Sequence, residues 1–305
     1  MSAFKGVSIM RRLAFLLLSA ALLGVAVFWQ ITMPRTLPLT ALDGLSGDEG
    51  RGELIFTAAG CASCHMAPDA KGEDQRELVG GQSFPTQFGT FYAPNISPDE
   101  DAGIGGWSDL DLANAIMRGV SPEGLHYFPA LPYWSYERMV PQDLVDLASY
   151  MRTLPADPTP SKAHDVGFPF NIRRMLGGWK FLNMQPDFVV DGELTDTEIR
   201  GRYIAEALAH CGECHTPRDS LGGLDTSRWL AGSVTPDGKG KIPNITPAKL
   251  TWSEDEIVEY LTSGFTPEFD SVGGHMAHVV DNMARLPEED RRAVASYLKK
   301  VPPAE

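Results

Sequence analysis

Cysteine is scarce in this 305-residue chain: there are four, and none lies outside two five-residue stretches. No thiol is left over for a separate disulfide framework or thiol centre. Acidic residues are missing from the first 33 positions, although the whole chain holds 40 Asp and Glu against 26 Lys and Arg. The net charge of −14 includes +3 from Lys5, Arg11 and Arg12, so the remainder carries −17. A body of that sign argues against nucleic acid and anionic lipid headgroups as partners; it favours transient docking to a basic patch on another redox protein, with plain solubility as the alternative use of the excess acid. Alternating strand patterns of useful length are also absent, and with them the βαβ setting of a thioredoxin-like redox pair.

What the cysteines do form is one pattern twice, Cys61-Ala-Ser-Cys64-His65 and Cys211-Gly-Glu-Cys214-His215. CxxCH is the attachment signature of a c-type haem. Cysteines at i and i+3 share one face of a helical turn and reach both vinyl groups of one porphyrin, while His65 or His215 supplies the proximal iron ligand. A zinc site would need the two Cys pairs within about 20 residues of each other, and here a domain length separates them. Two covalently bound haems c are therefore expected.

The N-terminus pairs its basic flank with an apolar run from Leu13 to Trp29, which Ile31, Thr32 and Met33 extend towards the length of a membrane-spanning helix. A cleaved signal peptide shares that pattern. The exit around Phe28 to Arg35 lacks a small-x-small cleavage site, and Trp29 suits a membrane interface. Residues 1–33 are read as an uncleaved anchor, oriented N-in, with the body exported to the bacterial periplasm.

The rest of the chain is duplicated. Ser46-Gly-Asp-Glu49 and Thr195-Asp-Thr-Glu198 read as capping boxes, with Arg51 and Arg200 in matching places. The glutamate precedes the first cysteine by 12 residues in one copy and 13 in the other. Beyond the haem motifs, Pro94-Asn-Ile-Ser-Pro98 answers to Pro243-Asn-Ile-Thr-Pro247, extended by its prolines. Trp107-Ser108 and Trp252-Ser253, each serine an N-cap with an acid three residues on (Asp111 and Glu256), then open helices that run to Gly119 and Gly264. Each copy closes on an amphipathic helix, carrying Leu144, Leu147, Ala148 and Met151, or Val294, Tyr297, Leu298 and Val301. The expected fold is all-α: an anchor (1–33), a first haem domain (34–155), a linker (156–192) and a second haem domain (193–305). The basic, aromatic part of the linker, Phe168 to Leu182, is expected to pack between the domains and cover haem edges; its alternatives are the membrane surface or a partner.

A six-coordinate haem needs a distal ligand, and methionine opposite histidine raises the potential. Met276, in a loop before the last helix, is the choice for the second iron, with Met283, His275 and His278 behind it. Its counterpart at the 145-residue offset is Leu131, which cannot bind iron, so the first haem takes Met139, with His126 second; an open iron is the remaining possibility. Met117 and Met151 read as packing residues. Asn95, Asn244, Trp107 and Trp252 recur and are candidates to face the haems, or are repeated core groups.

The haem motifs, the Pro-Asn-Ile-[Ser/Thr]-Pro segments and the stretch Phe128 to Tyr133 followed by Met139 resemble membrane-associated cytochrome c subunits and di-haem cytochromes serving bacterial periplasmic dehydrogenases. The resemblance covers roughly residues 45–301. Several of those relatives have methionine at the place of Leu131 and carry three haems, where this chain has two motifs. The resemblance implies an electron-transfer protein rather than an enzyme. It would carry single electrons from a periplasmic dehydrogenase or quinol-oxidising complex to a terminal oxidase or soluble cytochrome, from the inner (cytoplasmic) membrane. The catalytic alternative is a di-haem peroxidase-like oxidoreductase with an open iron at the first haem.

Overall fold

The computed structural model describes residues 3–304. The helices of the first part are α1 (Ala3–Ile31), α2 (Glu49–Ala58), α3 (Cys61–His65), α4 (Asp109–Ala113), α5 (Tyr133–Tyr136) and α6 (Pro141–Met151). There follow α7 (Met175–Asn183), α8 (Asp196–Tyr203), α9 (Cys211–His215), α10 (Glu254–Ser263), α11 (His275–Arg285) and α12 (Glu288–Lys300). Within α1, the 23 residues Ile9–Ile31 are long and apolar enough to cross a bilayer, and none of that stretch is buried.

The fold is mostly helical, but not purely so. β1 (Ser83–Thr86) and β2 (Gly89–Tyr92) form an antiparallel hairpin, to which β3 (Asp165–Val166) adds an antiparallel third strand. β4 (Ser233–Val234) pairs antiparallel with β5 (Lys241–Ile242). Strands of two to four residues are too short to leave an alternating signature in the sequence.

The core rests on two helix crossings, α2 on α6 and α8 on α12. In each, a glycine lets the backbones touch. A Cβ on Gly52 would overlap the Asp146 carbonyl and the Tyr150 side chain, and one on Gly201 would overlap the Ala293 carbonyl and the Tyr297 side chain. Tyr297, Leu147, Leu144 and Val301 are almost wholly enclosed around these crossings. All eight residues expected on the inner faces of the closing helices are buried.

The expected capping boxes form at Ser108 with Asp111, Thr195 with Glu198, and Ser253 with Glu256. The one expected at Ser46 does not. The N-cap of α2 is Asp48, whose carboxylate accepts from Arg51 N at 2.8 Å. Tertiary bonds decide this. The Ser46 carbonyl accepts from Gln142 Nε2, the Asp48 N–H donates to Asp146 Oδ1, and Gly47 lies against α6.

The unequal spacing before the haem motifs also has a local outcome. α8 continues into one π-helical turn, Ile204–Leu208, in which Ala209 N bonds Ile204 O, whereas in the first copy Ala59 N bonds Ile55 O. The extra residue of the second copy is absorbed as a π-bulge. It buries Glu206, which accepts from Val189 N, Val190 N and the Tyr297 hydroxyl at 2.6–3.1 Å.

Candidate haem attachment sites

α3 and α9 are the CxxCH turns themselves, and each is entered through a left-handed residue, Gly60 (φ 64°) or His210 (φ 42°). At the far end, Gly80 N donates to His65 O and Gly232 N to His215 O, both at 2.7 Å. Ile96 N then bonds Leu78 O, as Ile245 N bonds Leu230 O, each at 3.0 Å. These contacts bring the Pro-Asn-Ile segment over the histidine. His65 Nδ1 lies 2.9 Å from Pro94 O, and His215 Nδ1 lies 2.8 Å from Pro243 O. A carbonyl can only accept, so Nδ1 carries the proton and Nε2 keeps its lone pair for a metal. Burial lowers the pKa of both imidazoles and so keeps them neutral, as ligands must be.

All four thiols are free. Burial pushes Cys61 and Cys211 up to about 12 and Cys64 to about 11. A redox-active CxxC pair needs the opposite, a thiol made more acidic by its surroundings. Cys64 and Cys214 are nonetheless open to solvent, and Cys61 and Cys211 are partly exposed. Paired free thiols on one helical turn and an imidazole whose Nε2 is left for a metal fit a covalently bound haem. Among the described residues no cluster of three or more His, Cys, Asp or Glu is arranged to hold a bare metal ion.

The two attachment turns also touch each other's half. Asn282 Nδ2, on α11, donates to Ser63 Oγ in the first motif at 2.9 Å. Beside the second motif, His210 meets the Tyr136 ring at 5.7 Å, edge to face, and the Tyr136 hydroxyl donates to Ala59 O just before the first motif. Trp134 and Trp229 approach to 5.8 Å across the same boundary. Arg138 stacks on Trp134 and donates to the carbonyls of Trp134, Gln185 and Asp187, locking the linker over it.

Comparison with known proteins agrees with this geometry. The family described as Cytochrome c matches residues 50–155. A protein described as "Diheme cytochrome c-type" from Cereibacter sphaeroides is 55% identical over 282 residues, covering 92% of this chain and 95% of that one. The chain belongs to the di-haem c-type cytochromes. The cytochrome is also 35% identical over 261 residues to the fructose dehydrogenase cytochrome subunit of Gluconobacter japonicus, covering 83% of this chain and 52% of the relative. To the cytochrome c subunit of the quinone-dependent alcohol dehydrogenase of Gluconobacter oxydans it is 32% identical over 268 residues, covering 83% and 54%. It thus spans about half the length of those dehydrogenase subunits. Electron transfer by haem c is the activity common to this kinship.

The cytochrome's remaining site candidates separate clearly. Met139 is buried just after α5, within the core, and Leu131 packs against that core. Met276 is not in a loop: it occupies the first turn of α11, half-buried, on one face with Val279, Val280 and Met283. That i, i+3, i+4, i+7 pattern was visible in the sequence but masked by Gly273-Gly274 in front of it. Met283 is closed into the core, as are Met117 and Met151. His126 points elsewhere, its Nε2 bonded to Thr32 O at 3.0 Å at the exit of α1. Asn95 and Asn244 are also occupied. Asn95 Nδ2 donates to the carbonyls of Asp157 and Thr159, Asn244 Nδ2 donates to Ala304 O, and their Oδ1 atoms accept from Ser97 N and Thr246 N. Asn95 thus has no donor left for a haem propionate, whereas Asn244 uses only one of its two amide hydrogens in these bonds. Trp252 packs on Tyr260 at 5.2 Å.

Proposed function

We propose that the protein is a two-haem electron wire built from a haem domain at 34–155 and another at 193–305, joined by the linker 156–192. Cys61 and Cys64 hold the first haem and His65 ligates it, while Cys211, Cys214 and His215 serve the second. Met139 and Met276 complete the two irons: Met139 follows the aromatic turn that reaches the first motif, and Met276 borders the second domain's core without being sealed into it. Bound haem c supplies a one-electron ferric/ferrous couple. The chain's own residues orient the imidazoles through Pro94 and Pro243 and exclude water with Tyr136, Trp134 and Trp229. The observation that carries this reading is that each attachment region contacts the other half of the protein, Ser63 through Asn282 and His210 through Tyr136, which favours electron passage from one haem to the other inside the protein.

The relatives' roles favour a periplasmic dehydrogenase as donor. A terminal oxidase or soluble cytochrome is the acceptor, and α1 holds the body at the outer face of a bacterial inner membrane. Carbon monoxide added to the dithionite-reduced full chain tests the assignment. Unmodified protein should bind none at either haem, whereas Met139→Ala and Met276→Ala should each lose one iron–methionine charge-transfer band and gain carbon monoxide binding. A band that survives Met139→Ala would remove that residue from the iron, and rapid binding by the unmodified protein would restore the peroxidase-like reading.

A further inference from the structure

The helix of the linker, α7, has two faces of different character. Trp179, Lys180 and Asn183, at i, i+1 and i+4, turn to the body. Trp179 Nε1 donates to Leu221 O, Lys180 Nζ donates to the carbonyls of Arg118 and Gly119, and Asn183 O accepts from Trp134 Nε1, at 2.5–3.0 Å. The opposite face meets the end of α1. Arg174, just before α7, stacks on the Trp29 ring at 4.1 Å and donates to Trp29 O at 2.6 Å and Thr32 Oγ1 at 2.8 Å. Gly177 packs so closely on Thr32 that a Cβ would overlap its carbonyl, and Thr32 is wholly buried.

Phe181 and Leu182 follow Gly177 and Gly178 by one turn on that same face, and they are 61% and 68% exposed. Met175, beside them, is 51% exposed. Among the described residues none covers this stripe, and it continues from the last turn of the apolar helix, where Gly177 packs on Thr32. We infer that α7 lies on the surface of the bilayer that α1 crosses, with Met175, Phe181 and Leu182 inserted beside Trp29 among the lipids. The inference rests on the reading of α1 as a retained anchor.

The attraction is apolar rather than ionic. Arg174 and Lys180 are engaged by carbonyls and aromatic rings, and Arg173 stacks on Phe128 at 4.0 Å while donating to His126 O. The body's charge of −17 would disfavour anionic headgroups. A zwitterionic phosphatidylcholine surface is therefore sufficient. Because α7 is bonded to both α1 and the body, this seating would fix the tilt and height of the attachment turns above the membrane, where a loose tether would leave them free.

The test uses the full-length, haem-loaded protein in phosphatidylcholine vesicles, with a nitroxide at Phe181→Cys or, separately, Leu182→Cys. Val234→Cys, exposed on β4, is the aqueous control. Collision with oxygen should rise, and with a water-soluble nickel chelate should fall, at 181 and 182 relative to 234. A water-like pattern at both positions, in protein that resists carbonate extraction, would overturn the inference while leaving the anchor in place, and would hand the stripe to a protein partner. Extraction by carbonate would overturn the anchor reading and this inference together.

Discussion

Asp146 shows how much one side chain can organise at a helix crossing. It is wholly buried on α6 and accepts from Arg51 Nε and Nη2, Asp48 N and Gln142 Nε2 at 2.7–3.1 Å. Burial alone would raise its pKa, but Arg51, then Asp48 N and Gln142, hold it below the usual 3.8. A depressed carboxyl contributes stability that is present above 3.8 and lost as pH falls through the folded-state value. Since Arg51 is more than half exposed, Asp146→Ala should cost about 2 kcal/mol, in line with hydrogen bonds to a charged group after solvent screening. Urea unfolding followed at the Soret band would show that loss at pH 7 and a smaller one below pH 3.8. The sequence revealed Arg51 and Arg200 as a matched pair, but not their partners. Arg200 bonds Asp290, at the place of Asp143 rather than Asp146, and Ala293 stands where the first copy has Asp146. Partners 90 or more residues apart leave no local pattern to read. The same is true of Asn95 and Asn244, whose recurrence was visible and whose tethering of the chain downstream was not.

At the scale of elements, legibility followed the range of the interaction. Capping boxes are contacts between i and i+3, and those at Ser108, Thr195 and Ser253 form as read; the one at Ser46 lost to bonds from α6. The 12-versus-13 spacing disclosed an inserted residue, but only the backbone shows it as a π-turn whose register turns Glu206 inward. The crossings invite the sharpest test. Gly52→Ala and Gly201→Ala each place a methyl group inside an opposing backbone, which overpacks the contact by about 3 kcal/mol or more. Each should lower the thermal midpoint of the holoprotein, measured at the Soret band, whereas Gly24→Ala on exposed α1, where a Cβ meets nothing within 4 Å, should leave it unchanged. Equal midpoints for all three would refute the close-contact account.

For the whole molecule, the charge of −17 outside the first 33 residues predicts how it meets a partner. Electron transfer to a basic soluble cytochrome should slow steeply as ionic strength rises past the range where the Debye length shrinks to about 10 Å, as followed by stopped-flow absorbance. A rate indifferent to salt would separate the acidic surface from docking and leave it a solubility device. That acidity was plain in the composition, and so was the duplication; the closeness of the two halves was not, because it depends on Trp134, Tyr136, Trp229 and Asn282, which no repeat offset relates. The bond between Asn282 and Ser63 has a further consequence, for time rather than space. Ser63 lies between the two cysteines of the first motif, and its partner is made 219 residues later. That bond therefore cannot form until almost the whole chain has been made, and the first motif exists for that interval without it. A chain made N-terminus first thus completes the first attachment turn well before its partner on α11, and the contact between the halves can close only after the second half is in place.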